Sequence, residues 1–233
     1  MRTVSGVSGV TMVSKLIVFE GLDGSGKATQ TKLLLNKLKT LKIPAATIDF
    51  PQYGSWSAAF VEKYLNGEFG LLGEITPEQA SLFYALDRFA ARKKLLQMLA
   101  DKIVIANRYV SANQAYQGSK ITDLNTRRQF LAWLDHLEYG ILGLPRPSHV
   151  VYLKVPLMIS NSLVEQRHQR EYIKDGNKDI HEKSNLLLKG AEEVYGQLAQ
   201  GNEWITVDCA ADGKLLSKEL IHEKVWTALK DII

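Results

Sequence analysis

Two kinds of apolar stretch alternate along this chain. Short, nearly continuous apolar runs recur at Lys15–Phe19, Ala45–Phe50, Ile103–Ala106, His149–Leu153 and Trp204–Val207. Each reads as a strand, and Lys15–Phe19, a short apolar run, reads as one buried in a parallel sheet. Between them, apolar residues recur at helical spacing. Leu33, Leu34, Leu38 and Leu41 share a face of a helix running from Lys27 to about Leu41. A short helix is predicted over Ser57–Leu65, stopped by Asn66-Gly67. Thr76-Pro77-Glu78-Gln79 is a helix start, with Thr76 as N-cap, Pro77 in the first turn and Gln79 closing a capping box. That helix should reach about Ala100, with Leu82, Phe83, Leu86, Phe89 and Ala90 as its core stripe. Further helices are predicted over Asp123–Tyr139, closed off by Pro145-Arg146-Pro147, and from Pro156 onward. Another ends near Ala199 after an Asp179-Ile180-His181-Glu182 capping box, and the last spans Leu215–Leu229.

Strands alternating with helices predict an α/β fold: a five-stranded parallel sheet with helices on both faces. One domain is expected over residues 15–233. Met1–Ser14 reads as a disordered leader, or as extra sequence ahead of a start at Met12. No internal repeat is present.

Composition narrows the class. Hydrophobic residues make up 45% and charged residues 23%, ordinary values for a globular chain, and no apolar run reaches membrane-spanning length. A soluble protein is expected. Cys209 is the single cysteine, which excludes an internal disulfide and fits a reducing, cytoplasmic setting. A net charge of +4 suits a protein that handles polyphosphates, but no long Lys/Arg block points to nucleic acid. His149, His168 and His181 are scattered without metal-ligand spacing.

The chemistry concentrates where strands end. Gly21-Leu22-Asp23-Gly24-Ser25-Gly26-Lys27 fits G-x-x-x-x-G-K, the phosphate-binding loop, and it lies between a predicted strand and a predicted helix as that motif requires. Its backbone N–H groups can cradle an anion at the helix N-terminus, with Lys27 reaching the outer phosphates. Gly21, Asp23, Gly24, Ser25, Gly26, Lys27, Ala28 and Thr29 are the expected ATP-phosphate residues. Ala28 stands where the motif carries Ser or Thr. Phe50-Pro51-Gln52-Tyr53-Gly54, Asn107-Arg108-Tyr109 and the polar stretch Ser111–Gly118 follow other strands, at the sheet edge where ligands bind. Tyr84, Arg88 and Arg92 share a helical face, either solvated or serving to recognise a base. Asp87 is read as orienting Arg88 or pairing across the core. Arg167 and Arg170 lie three apart, ahead of a polar segment, Glu171–Asn177, with a turn signal.

These motifs, in this order, resemble the thymidylate kinases, which are P-loop nucleoside monophosphate kinases. The resemblance rests on Phe19–Lys27 with Thr29-Gln30, on Asp49-Phe50-Pro51, and on the Asp87-Arg88 region. Arg108-Tyr109 and Gln114-Ala115-Tyr116-Gln117-Gly118 add to it, and it runs from about Lys15 to Asp208. It implies a P-loop NTPase fold with a short mobile lid at about 166–180. The implied reaction is ATP + dTMP to ADP + dTDP, with Mg²⁺ as cofactor. ATP and dTMP would be the partners, in a homodimer with no nucleic-acid or membrane partner. Carried over by position, Asp23 would accept from the deoxyribose 3′-hydroxyl, Tyr84 would stack on thymine and Arg88 would donate to its O4. Arg108 would hold the acceptor and transferring phosphates. Phe50, Tyr53, Asn113, Gln114 and Tyr116 would surround the nucleotide. Because Gly24 follows Asp23, the catalytic arginine would come from the lid, as Arg167 or Arg170, alongside Lys27 and Arg108.

Three departures bear on the metal and the acceptor. Ala28 removes a hydroxyl that usually binds Mg²⁺, and Thr29 lies about 100° round the helix from it. Asn107 replaces the family's usual Asp, leaving its carbonyl oxygen as the metal candidate. Tyr53 takes what looks like the place of an acceptor-binding arginine. Two other readings stay open: a kinase for another deoxynucleotide or for a deoxynucleoside, with Glu20 as a base near a 5′-hydroxyl, or a nucleotide-binding protein without turnover, favoured by Ala28 and Asn107.

Overall fold

The computed structural model describes residues 15–71, 73–170 and 185–233, and the side chains of 164–170 are not among what it describes. Residues 171–180 of the expected lid, 166–180, lie outside the described residues, as do the Asp179–Glu182 capping box and the leader. Arg167 and Arg170 fall on a described helix, but their side chains lie outside that set.

Five strands, β1 (Leu16–Glu20), β2 (Ala45–Asp49), β3 (Ile103–Asn107), β4 (His149–Lys154) and β5 (Trp204–Asp208), form one parallel sheet in the order β2-β3-β1-β4-β5. β1 is central and buried throughout. Its alternate residues face opposite layers. Ile17 and Phe19 join Leu34 and Leu38 of α1 (Lys27–Thr40) and Ile221 and Val225 of α8 (Lys218–Leu229). Leu16 and Val18 join Ala91 and Leu95 of α3 (Pro77–Leu99). Both sheet faces are therefore covered, which is why the inner strands β1, β3 and β4 read as near-continuous apolar runs, whereas the edge strands β2 and β5 are only partly buried and carry Thr47, Asp49 and Thr206.

The remaining helices are α2 (Ala59–Leu65), α4 (Val110–Gly118), α5 (Leu124–Asp135), α6 (Leu157–Arg170) and α7 (Asn185–Leu198). The Thr76 capping box opens α3 as expected, with Gln79 N–H donating to Thr76 Oγ1 and Gln79 Oε1 accepting from the Thr76 N–H. Sequence reasoning missed α4, whose polar residues hide a helix. It also missed a small antiparallel pair, β6 (Ala210–Ala211) and β7 (Lys214–Leu215), which delays α8 to its Ser217 cap. Beyond α5 the chain continues through a π-helical turn, His136–Ile141.

The predicted core stripe of α3 is a correction. Leu82, Leu86 and Phe89 are 41%, 52% and 48% exposed. The inward face carries Ala80, Ser81, Ala85, Asp87, Arg88, Ala91 and Leu95. Small residues let α3 approach its neighbours closely, and the polar ones enter the site. Phe83 takes part in an aromatic cluster with Phe60, Tyr64 and Phe69.

Candidate functional site

Parallel strands deliver the site to one edge. Register pairs Phe19 with Asn107 and Asn107 with Asp49, so the C-terminal ends of β1, β3 and β2 lie side by side. A cavity of about 600 Å³ opens there. The loop residues Asp23, Gly24, Gly26, Lys27, Ala28 and Thr29 line it. So do Phe50, Tyr53, Tyr84 and Arg88, and, beyond β3, Asn107, Arg108, Asn113, Tyr116 and Gln117.

The loop needs its glycines. Gly26 has φ 86°, and Gly21 has φ 143° with a Cβ position 2.7 Å from Leu153 O. A side chain at Gly21 would meet backbone that cannot yield. Lys27 Nζ donates to Gly21 O at 3.0 Å and Leu22 O at 2.8 Å, so it is folded back over the loop. Burial, and then the Arg108 charge, push its amine down to about 7, against the pull of Asp23 and Glu20. An arriving phosphate would restore its charge.

Arg108 sits at φ 66°, in the left-handed region that a non-glycine residue adopts only when its surroundings hold it there. Its backbone N–H is held by Phe19 O, and its Nη2 lies 2.5 Å from Asp23 Oδ1. Tyr116 Oη donates to the other Asp23 oxygen at 2.9 Å, and Arg108 lies over the Tyr116 ring. Burial alone would raise the Asp23 carboxyl. The Arg108 and Lys27 charges and the Tyr116 hydrogen bond override it and hold that carboxyl well below the usual range. Asp23, Arg108 and Tyr116 therefore form one locked unit beside the loop.

Glu20 is fully engaged. Oε1 accepts from Tyr109 N at 2.9 Å, Ser111 Oγ at 2.8 Å and Ala112 N at 3.0 Å, and Oε2 accepts from Tyr195 Oη at 2.8 Å. It caps the N-terminus of α4, where a negative charge meets the helix dipole. A carboxylate so satisfied is a structural anchor, which removes it as a base for a nucleoside hydroxyl.

On α3, Arg88 is buried, and Nε and Nη2 pair with both oxygens of Glu138 at 2.5 Å each, while Nη1 reaches Tyr109 O. The solvated-face alternative is thus excluded for Arg88. Arg92 donates instead to Gly143 O at 2.6 Å. Asp87 turns away from Arg88 to accept from Gln52 N and Ser57 Oγ, fixing the loop after β2. Tyr84 meets Tyr64 edge-on. Phe50 is buried against Tyr109, and Tyr53 is exposed at the cavity rim.

Asn113 Nδ2 donates to Ser81 O and Glu138 Oε1, and its Oδ1 is buried with no partner among the described residues. Gln114 does not line the cavity, whereas Gln117 does. On a helix, 113, 116 and 117 share a face and 114 turns away by about 100°. Sequence reasoning also missed Glu138. Its one signal is a lone acid inside an apolar stretch, Leu137-Glu138-Tyr139. Asn107 Nδ2 donates to Asp49 Oδ1 at 2.8 Å, and Asn107 Oδ1 is buried without a partner among the described residues. Among those residues no three His, Cys, Asp or Glu converge as a metal site, and no helix is long and apolar enough to cross a membrane.

Comparison with known proteins covers almost the whole chain. The family model described as thymidylate kinase matches residues 19–221. A thymidylate kinase of Mycobacterium tuberculosis is 32% identical over 210 residues, spanning 88% of this chain and 96% of the relative. One from Plasmodium falciparum is 27% identical over 210 residues, spanning 90% and 89%. Among solved structures, a Candida albicans thymidylate kinase superposes with a TM-score of 0.71 at 20% identity, covering 94% of this chain and 92% of that one. At that identity it speaks for the fold.

Proposed function

The chain belongs to the thymidylate kinase family, and we infer from that membership and from the cavity that it transfers the γ-phosphoryl group of ATP to dTMP, giving dTDP and ADP. The observation that carries the substrate reading is one cavity joining a phosphate loop to a pocket lined by Tyr84, Arg88 and Asn113.

Phosphoryl transfer asks the protein for alignment and positive charge, with little covalent chemistry. The loop's backbone and Lys27 hold the donor phosphates. Arg108, fixed by Asp23, faces the acceptor and transferring phosphates. Tyr84 offers a ring for stacking, and Asn113 Oδ1 is an acceptor without a partner among the described residues, suited to a pyrimidine N–H. Arg88 keeps N–H groups beyond those it gives Glu138, enough to donate to O4. Asp23 retains lone pairs for the 3′-hydroxyl. Phe50, Tyr53 and Tyr116 complete the dTMP site in this reading. Arg167 and Arg170 are proposed as the lid cations. The acceptor phosphate is already an anion, so the deoxynucleoside alternative, which needs a base, loses its support with Glu20.

Magnesium fits the residues present. The orphaned, buried Asn107 Oδ1 is a hard oxygen at the phosphate edge. The ion would neutralise phosphate charge there, bound mainly by phosphates and waters because Ala28 offers no hydroxyl.

A cytosolic homodimer belongs to the same reading. Cys209 is a buried free thiol, pushed up to about 12 by burial. Leu82, Leu86, Phe89 and Leu96 form an exposed apolar stripe along α3 that a second copy would cover. A coupled assay of ADP release from ATP with dTMP, dUMP, dCMP and thymidine tests the function. Rapid release with dTMP is expected, and no release with dTMP would sink it.

A further inference from the structure

We propose that Asp49 supplies the anionic ligand for the divalent cation, acting with Asn107 Oδ1 across two neighbouring strands. This rests on the kinase reading above, because the ion it binds is the one that accompanies the phosphates.

Asp49 and Asn107 are register partners at the C-terminal ends of β2 and β3. Adjacent strands lie about 4.8 Å apart, and paired residues point to the same face. Here the two side chains meet, Asn107 Nδ2 to Asp49 Oδ1 at 2.8 Å. That contact sets the amide's orientation. A carboxylate only accepts, so the nitrogen must face it, and the amide oxygen is turned away. That oxygen is buried and has no partner among the described residues. A buried acceptor left in this state is costly unless a ligand or water completes it.

The charge balance points the same way. Among the described residues, two aspartates line the cavity. Asp23 is neutralised by Arg108 at 2.5 Å, whereas Asp49 takes part in none of the ion pairs among the described residues. Both substrates bring several negative charges into that cavity. Asp49 is exposed, so water screens its charge, but that charge still opposes theirs, and a cation between them removes the repulsion. A divalent ion held by one carboxylate oxygen, one amide oxygen, phosphate oxygens and water meets magnesium's preference for hard oxygens with few protein ligands. Asn107 is thereby recast: it contributes a neutral oxygen, and the negative charge comes from the adjacent strand.

The test uses Mn²⁺ as the probe, titrated into the full-length protein saturated with dTMP and free of ATP, with free Mn²⁺ followed by electron paramagnetic resonance. Wild type should bind Mn²⁺. Asp49→Asn, which keeps size and the contact to Asn107, should weaken binding at least about 10-fold, the loss of one charged ligand. The exchanged pair Asp49→Asn/Asn107→Asp should return affinity to within about threefold of wild type. No Mn²⁺ binding by wild type, equal affinity in Asp49→Asn, or no recovery in the exchanged pair while dTMP affinity and melting temperature stay at wild-type values would each overturn the proposal. Wild-type turnover with dTMP is measured in parallel. Its absence alongside the expected Mn²⁺ pattern would refute the kinase reading while leaving the ion site standing.

Discussion

Arg88 and Glu138, fifty residues apart, form a two-pronged ion pair with side chains only 3% and 0% exposed. It joins α3, which carries Tyr84, to the turn after α5, and Asn113 of α4 donates to the same carboxylate. Two helices that line the base pocket are thus tied at one point to the turn after α5.

Removing one partner strands the other in a dry interior. Glu138→Ala should cost about 3–5 kcal/mol in urea unfolding. Arg88→Ala should cost as much, so dTMP binding by that variant alone confuses folding with recognition. Replacing the pair by apolar groups, Arg88→Met with Glu138→Met, should recover most of the stability. If Arg88 reads the base, dTMP affinity in that double variant stays low, by roughly 1.5–3 kcal/mol for a lost charged hydrogen bond, with ATP affinity kept. Wild-type dTMP affinity in a calorimetric titration would remove Arg88 from recognition.

Glu20 anchors the start of α4 through four donors. Glu20→Ala leaves those donors facing a void, at about 1–3 kcal/mol each if unmet. Glu20→Gln should destabilise less: its amide oxygen can take the three donors from Tyr109, Ser111 and Ala112 and its N–H₂ can donate to the Tyr195 hydroxyl oxygen, but the negative charge facing the helix N-terminus is lost. Both variants should melt earlier and show raised amide exchange across Val110–Gly118. A Glu20→Gln protein with wild-type stability and lost turnover would instead restore Glu20 to the chemistry.

How far the sequence revealed this site depends on which interactions are local. The phosphate loop, the Thr76 cap and the buried strands declare themselves within a few residues, and each is where it was expected. The α3 stripe misled because periodicity marks an apolar face without saying what covers it. Leu82, Leu86 and Phe89 are exposed in the single chain, while Ala85, Ala91 and Arg88 point inward. Helix α4 escaped notice because its side chains are spent on the site and on Glu20, so it lacks an apolar stripe. Glu138 could not be paired with Arg88 from spacing alone, since only the packing of α3 against the turn after α5 brings them together.

The α3 stripe makes a separate prediction. If a second copy covers it, Leu86→Glu with Phe89→Glu should convert a dimer to a monomer by light scattering at micromolar concentration, with secondary structure intact. A monomeric wild type, or an unchanged mass in the variant, would end the dimer reading.

Lys27 gives a pH dependence whose sign follows from burial. Its amine falls from the ordinary 10.5 to about 7 without ligand. The unfolded chain therefore holds more protons between these values, and stability should rise as pH climbs from about 7 toward 10.5. Anionic phosphates favour the charged amine, so ATP binding at pH 8 should take up protons, and affinity should fall as pH rises through this window. Titration calorimetry in buffers of different ionisation enthalpy reads the uptake directly. Binding without proton uptake at pH 8 would mean that Lys27 is already charged before ATP arrives.

The last question is the supply of positive charge. Among the described residues, three basic side chains line the cavity: Lys27, Arg88 and Arg108. Arg88 is neutralised by Glu138 and Arg108 by Asp23, so Lys27 is the one among these described residues without a carboxylate at ion-pair distance. The equatorial oxygens of a transferring phosphoryl group carry spread negative charge, and an arginine brought to them is worth about 10³-fold or more. Gly24 denies the loop an arginine, which leaves Arg167 and Arg170 as the proposed source. Arg167→Ala with Arg170→Ala should lower kcat at least about 10²-fold and leave dTMP affinity nearly unchanged, since the contact belongs to the transition state. The bland alternative is that they pair with neighbouring acids such as Glu165 and Glu171, contacts worth under about 1 kcal/mol when exposed and without effect on turnover. Wild-type kcat in the double variant would decide for that alternative and move the search for the cation to Lys174 and Lys178.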